Sequence, residues 1–142
     1  MPSIASLNLK PGDGALSLAQ DWLNRAATQQ HWPARTTFAL QISMDEALTN
    51  ILSHGFEHGI TDASTIRLRL TTIGTLITLE IVDNGIPFDP TQITPGEPAL
   101  SLDDTMPGGH GLRLMRHYLH DMDYAFIDGH NHLRLTVAQK KT

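Results

Sequence analysis

Apolar positions change their period several times along the chain. Ile4, Ser6 and Asn8 alternate with Ala5, Leu7 and Leu9, which predicts a short edge strand before the turn Pro11-Gly12-Asp13-Gly14. Beyond the turn, Ala15, Leu18, Ala19, Trp22, Leu23 and Ala26 recur at helical spacing. A helix capped by Asp13, with Trp22 in the core, is therefore expected to run to about His31. Pro33 suits the first turn of a second helix, which should end near Gly55 or Gly59. Phe38, Ile42, Ala47, Leu48, Ile51 and Leu52 are expected to form its buried side.

From Ser64 the period is two. Ile66, Leu68 and Leu70 alternate with Arg67, Arg69 and Thr71, and Gly74 marks a tight turn into a partner strand over Leu76 to Val82. Continuing the row Ile77, Leu79, Ile81 by one step places Asp83 on the face that helices should cover. A buried carboxylate is costly unless hydrogen-bonded, so Asp83 needs a donor from the protein or from a ligand. Asn84 to Pro107 has no period, contains Pro87, Pro90, Pro95, Pro98 and Pro107, and has no Lys or Arg. So long a connection in a compact domain reads as an active-site lid, over about residues 84–110, or as a mobile insertion. Gly108-Gly109-His110-Gly111 then leads into Leu112, Met115, Leu119 and Met122 at helical spacing. A helix that begins behind glycines presents free amides and a positive dipole end, the arrangement that binds phosphates; otherwise the glycines are a flexible connector. A last hairpin pairs the Tyr124, Phe126 row with Leu133, Leu135 and Val137 around Asp128-Gly129-His130-Asn131. The order predicts an α+β two-layer sandwich: a mixed, mostly antiparallel sheet of about five strands, covered on one face by three helices.

Composition narrows the function. The 142 residues suit one domain, 1–142, with one core. Zero cysteines exclude disulfides, thiolate metal sites and cysteine nucleophiles, and fit a reducing compartment, so the cytoplasm is expected. No apolar run approaches the ~18 residues of a membrane helix, and Met1-Pro2-Ser3-Ile4 lacks the basic-then-apolar layout of a secretion signal. A net charge of -5 with 10 Lys+Arg argues against direct nucleic-acid binding and leaves a basic protein partner open.

Candidate chemistry begins on the second helix. Glu46 and Asn50 stand one turn apart on a shared face, a general base beside a neutral oxygen ligand for a hard cation. His54 continues that face as a packing or phosphate-side residue. The pairs His54/His58 and His117/His120 have zinc-like spacing, but Gly55 interrupts the first and neither has a third ligand. No Gly-x-Ser-x-Gly turn supports a serine hydrolase.

Three motifs thus stand in order: Glu46-x-x-x-Asn50 on a helix, Asp83-x-Gly85-x-Pro87 at a strand end, and Gly108-Gly109-x-Gly111 before a helix. Together they resemble the N, G1 and G2 boxes of the gyrase/heat-shock-chaperone/histidine-kinase (GHKL-type) ATPase superfamily, across nearly the whole chain. The runs Glu-Ala-Leu-Thr-Asn, Asp-Asn-Gly-Ile-Pro-Phe-Asp-Pro and Gly-Gly-His-Gly-Leu look most like the bacterial anti-sigma-factor serine/threonine kinases. The resemblance implies a GHKL-type fold, with ATP and Mg²⁺ as cofactors. It implies Glu46 as the base for a serine hydroxyl, Asn50 as the Mg²⁺ ligand and Asp83 as acceptor for the adenine amino group. Gly85 would let the chain pass close to the base, with Pro87 in the same box, and His54, Gly108, Gly109, His110, Gly111 and Leu112 would complete the nucleotide site. The implied activity is phosphorylation of a small anti-sigma-antagonist protein in a partner switch, with a sigma factor as a second partner and a homodimer compatible. The alternative is a nucleotide-binding module that switches partner affinity without transfer. No Lys or Arg lies between Leu70 and Leu112, so γ-phosphate charge must be met by Mg²⁺, amides, Arg113, Arg116 or a partner.

Overall fold

The computed structural model describes residues 3–92 and 115–139. Strand β1 (Ser3–Leu9) leads into helix α1 (Ala15–Gln30) and helix α2 (Ala34–Asn50), which runs on into a π-helical turn, Ile51–Gly55. A hairpin of β2 (Ile66–Ile73) and β3 (Leu76–Asp83) follows, then a 3-10 turn at Pro90–Gln92, and a second hairpin of β4 (Asp121–Ile127) and β5 (His130–Ala138). Residues 115–118 are helical.

The strands form one five-stranded sheet in the order β1-β2-β3-β5-β4. All four pairings are antiparallel, so the expected sandwich is present with a simpler sheet than a mixed one. Both turns use the backbone that tight hairpins demand. Gly74 has φ 58°, and Asp128 and Gly129 have φ 52° and 78°, both in the left-handed region a two-residue turn requires.

Period-two alternation sorts the sheet into two faces. Ile66, Leu68 and Leu70 of β2, Ile77, Leu79 and Ile81 of β3, and Leu133, Leu135 and Val137 of β5 are buried beneath the helices. Each fully buried aliphatic side chain here favours the fold by roughly 1.5–3 kcal/mol over leaving it in water. On the open face Glu80 lies between Arg69 (2.8 Å) and Arg134 (3.2 Å), one row across three strands. α1 covers the core with Ala15, Ala19, Trp22, Leu23 and Ala26, as its stripe predicts, whereas Leu18, expected in the same stripe, is exposed.

Two expectations about the helices are corrected. Asp13 does not cap α1: the N-cap is Gly14, at φ 89°, with no side-chain cap, and the left-handed backbone suits glycine there. The buried face of α2 is rotated only in part from the expected one, since Ala47 and Leu48 are buried and Ile51 and Leu52 pack against the core as expected. Leu40, Met44 and Leu48, with Ala39, Ser43 and Ala47, enter the core, while Phe38 is 45% exposed and meets Tyr118 edge-on at 5.3 Å. The helix offers two apolar stripes, and the one that packs on the sheet carries smaller side chains between its large ones. That rotation brings Asn50 inward as well, leaving it 7% exposed.

Candidate nucleotide site

The alternation that buries β3 ends on Asp83, which is 3% exposed and faces the helices as its row predicts. Oδ1 accepts from the Gly85 N–H (2.8 Å) and from Asn131 Nδ2 (3.0 Å). Oδ2 accepts nothing among the described residues, although the carboxylate lines an apolar pocket of about 510 Å³, its open mouth included. Burial pushes the Asp83 carboxyl up from the usual aspartate value, while the bonds from Gly85 and Asn131 and the fields of His130 and His132 pull it part of the way back.

Asn131 is the residue that sequence reasoning missed. Directly opposite Asp83 in the β3–β5 register, it is buried and multiply bonded. Its amide donates to Asp83 and to the Ile86 carbonyl (2.9 Å), and its Oδ1 accepts from Phe88 N–H (3.1 Å) and the Tyr124 hydroxyl. One side chain thereby ties β5 to the loop after β3 and orients the acid. Tyr124 is held as a neutral phenol: burial raises its pKa, the Phe88 N–H bond lowers it, and Asp89 and Asp83 raise it further. The missed signal was available. Asn131, Leu133, Leu135 and Val137 share a parity, so the step that buries Asp83 on one strand buries Asn131 on its neighbour.

The pocket's other wall comes from the end of α2. Glu46, Asn50 and His54, each a turn apart, all line it, and the π-helical turn follows Asn50 directly. Asn50 Nδ2 donates to Glu46 Oε2 (3.3 Å), which fixes the amide so that its oxygen is left for another partner. That oxygen accepts nothing among the described residues and is not sealed from solvent. Ile86, Phe88, Met115 and Leu133 supply apolar walls.

Gly85 is needed here for a steric reason within the chain itself. Its backbone crosses the end of the π-helical turn, where Ile86 N–H donates to the Gly55 carbonyl (2.8 Å), and a Cβ at Gly85 would lie 2.4 Å from that oxygen. Helix end and loop therefore meet backbone to backbone. Gly85→Ala is expected to cost about 1–3 kcal/mol by overpacking two rigid backbones. A thermal melt checks this, and an unchanged Tm would mean that the two glycines do not touch.

Of the expected site residues, Glu46, Asn50, His54 and Asp83 line one pocket, and Gly85 does not line it but abuts Gly55, which does. Pro87 is exposed and does not line the pocket, which Ile86 and Phe88 do instead. Gly108, Gly109, His110, Gly111, Leu112 and Arg113, and the part of the expected lid beyond Gln92, lie outside the described residues. Arg116 reaches the 3-10 turn, donating to the Thr91 carbonyl (3.4 Å). Among the described residues no group of three or more His, Asp or Glu side chains could hold a metal ion.

Residues 10–137 match the family described as histidine kinase-like ATPase domain. The chain belongs to that family. As a histidine kinase-like ATPase domain it is 49% identical over 115 residues to serine/threonine-protein kinase BtrW of Bordetella bronchiseptica, covering 81% of this chain and 80% of the relative. Its fold is similar to the solved structure of the RsbU and RsbW domains of Rv1364c from Mycobacterium tuberculosis, with a TM-score of 0.67 over 97% of the chain. At 11% identity that likeness concerns the fold alone, and the chain spans 33% of that polypeptide.

Proposed function

We propose that this ATPase domain is a serine/threonine protein kinase that acts as an anti-sigma factor in a partner switch and phosphorylates a small anti-sigma-antagonist protein. The observation that carries the reading is the pairing of Glu46 with Asn50 at the wall of a pocket that ends on Asp83. The donor set fits the expected cofactors. Asp83 Oδ2 waits for a donor such as the adenine amino group, between apolar walls that suit a base. The Asn50 oxygen would suit a magnesium ion as a neutral oxygen ligand. When bound, ATP with Mg²⁺ would supply the phosphoryl group, with ADP as the leaving group; Glu46 would take the proton of the acceptor hydroxyl, and Asn50 would hold the metal's position. Similarity to a relative named a serine/threonine-protein kinase supports transfer to a protein hydroxyl. The cysteine-free composition supports a cytoplasmic setting, and no helix among the described residues is long and apolar enough to cross a membrane.

One feature favours a second reading. With no Lys or Arg between Leu70 and Leu112, the chain's nucleotide segment brings little positive charge of its own to a transferring phosphate. In that reading the domain binds ATP or ADP and changes its partner affinity with nucleotide state. Labelled phosphate from ATP, offered with Mg²⁺ and the cognate antagonist, decides between them: label on the antagonist is expected, and tight nucleotide binding without label establishes the module. Asn50→Ala is expected to weaken magnesium-dependent ATP binding in a calorimetric titration and to slow transfer as well. Equal ATP affinity in that variant would remove Asn50 as the metal's ligand.

A further inference from the structure

α2 has a cavity at each end. Glu46 and Asn50 line the nucleotide pocket, whereas Arg35, Thr36 and Ala39 near the start of the helix line a separate cavity of about 770 Å³, its open mouth included. At 1.5 Å of rise per residue, Thr36 and Asn50 are about 21 Å apart along the helix. The second cavity is bounded by His117, His120 and the end of β5, and among the described residues no Asp or Glu lines it, in a chain of net charge -5.

Its donors are unspent. Pro33 is the N-cap of α2 and gives no side-chain bond, and the first backbone bond into the helix is Thr37 N–H to the Pro33 carbonyl (3.1 Å). The N–H groups of Arg35 and Thr36, which line the cavity, therefore stay free among the described residues, at the positive end of a 17-residue helix. Thr36 is 3% exposed. Hydroxyls on this helix normally bond one turn back, as Thr37 does to Pro33 and Ser43 to Ala39, yet that of Thr36 has no partner among the described residues. No side-chain oxygen there is both sealed and unbonded, so the Thr36 hydroxyl opens into the cavity that it lines. Tyr118 holds two of the basic groups: the Arg35 guanidinium lies 5.0 Å above its ring, and His117 meets the ring edge-on at 4.8 Å.

We propose that this cavity is a second anion site, which takes a phosphate group, either free or carried as a monoester. Free amides, a hydroxyl, a guanidinium and imidazoles around one cavity match an acceptor with several oxygens. The volume leaves space for part of the molecule that carries the phosphate.

Isotope-labelled full chain, titrated separately with inorganic phosphate, O-phosphoserine and chloride, tests the site through its amide shifts. Saturable shifts at Arg35, Thr36 and His117 are expected with the phosphates. Tighter binding of phosphoserine identifies a phosphorylated side chain as the source, and equal binding identifies free phosphate. Thr36→Val and His117→Gln should each weaken binding roughly three- to tenfold, the effect of one lost hydrogen bond. Thr36 is buried, so T36V counts only if its spectrum keeps native dispersion; His117 is exposed, so H117Q keeps the test decisive if T36V misfolds. Shifts that reproduce those of chloride, that lie around Asp83 and Asn50 instead, or that H117Q leaves unchanged overturn the proposal.

Discussion

Glu46→Gln is expected to bind ATP as the wild type does while transferring its phosphoryl group roughly 10²–10⁴-fold more slowly, the range of a lost general base. The geometry explains why the two effects should separate. Asn50 Nδ2 donates to a Glu46 oxygen, and glutamine still offers a side-chain oxygen at that place, so the Asn50 amide keeps its orientation and its free oxygen. What disappears is only the capacity to accept a proton from the substrate hydroxyl. Single-turnover phosphorylation of the antagonist, measured beside a calorimetric ATP titration, gives both quantities on one preparation. Wild-type turnover in this variant would assign the proton to another group.

Asp83→Asn should have the opposite profile, with nucleotide affinity lost and the fold kept. Replacing Oδ2 by an amide sets a donor against the adenine amino group, and such a mismatch in a buried site costs ~1–3 kcal/mol, or roughly five- to 150-fold in affinity. The fold should not suffer, because the remaining oxygen still accepts from Gly85 and Asn131. Stability should in fact rise near neutral pH. Burial, the largest influence on Asp83, raises its folded pKa above the ordinary aspartate value. The folded state therefore holds the proton more tightly than the unfolded chain. Its contribution to stability is greatest below the ordinary value, declines as pH climbs to the raised value, and leaves the full cost of a buried charge above it. Asparagine carries no such cost, so the Tm difference between variant and wild type should grow through that window and then level. A variant that melts lower at neutral pH, or that binds ADP normally, would show that Asp83 has a structural duty alone.

These contrasts show which features a sequence exposes. Period two is a property of the strand backbone, so Ile66 to Leu70 and Ile77 to Ile81 are legible on any reading, and one further step reaches Asp83. Asn131 was equally within reach but falls in a segment that also reads as a turn, and only the register of β5 against β3 makes it the acid's partner. The helix face was harder. α2 has apolar residues on more than one side, and which side packs depends on the sheet's shape, so Phe38 was expected inside and lies outside. Gly85 was picked out by its motif, yet its steric reason is a carbonyl from a segment thirty residues earlier, a distance that no local pattern contains. The cavity at the start of α2 left no motif, because backbone amides carry no letter in a sequence.

The order of the strands has a further consequence for life in a crowded solution. β1 and β4 are the two margins of the sheet, each with one row of backbone groups that could recruit a foreign strand. They are guarded by different means. Asp121 and Asp123 put negative charge along β4, which repels a like copy, while the pairing of β1 slips between Ser3 and Ala5 and so breaks the straight template that strand addition requires. Growth into stacked, edge-joined aggregates is thereby opposed at both margins, and Asp121→Val with Asp123→Val should convert a dispersed protein into one that precipitates.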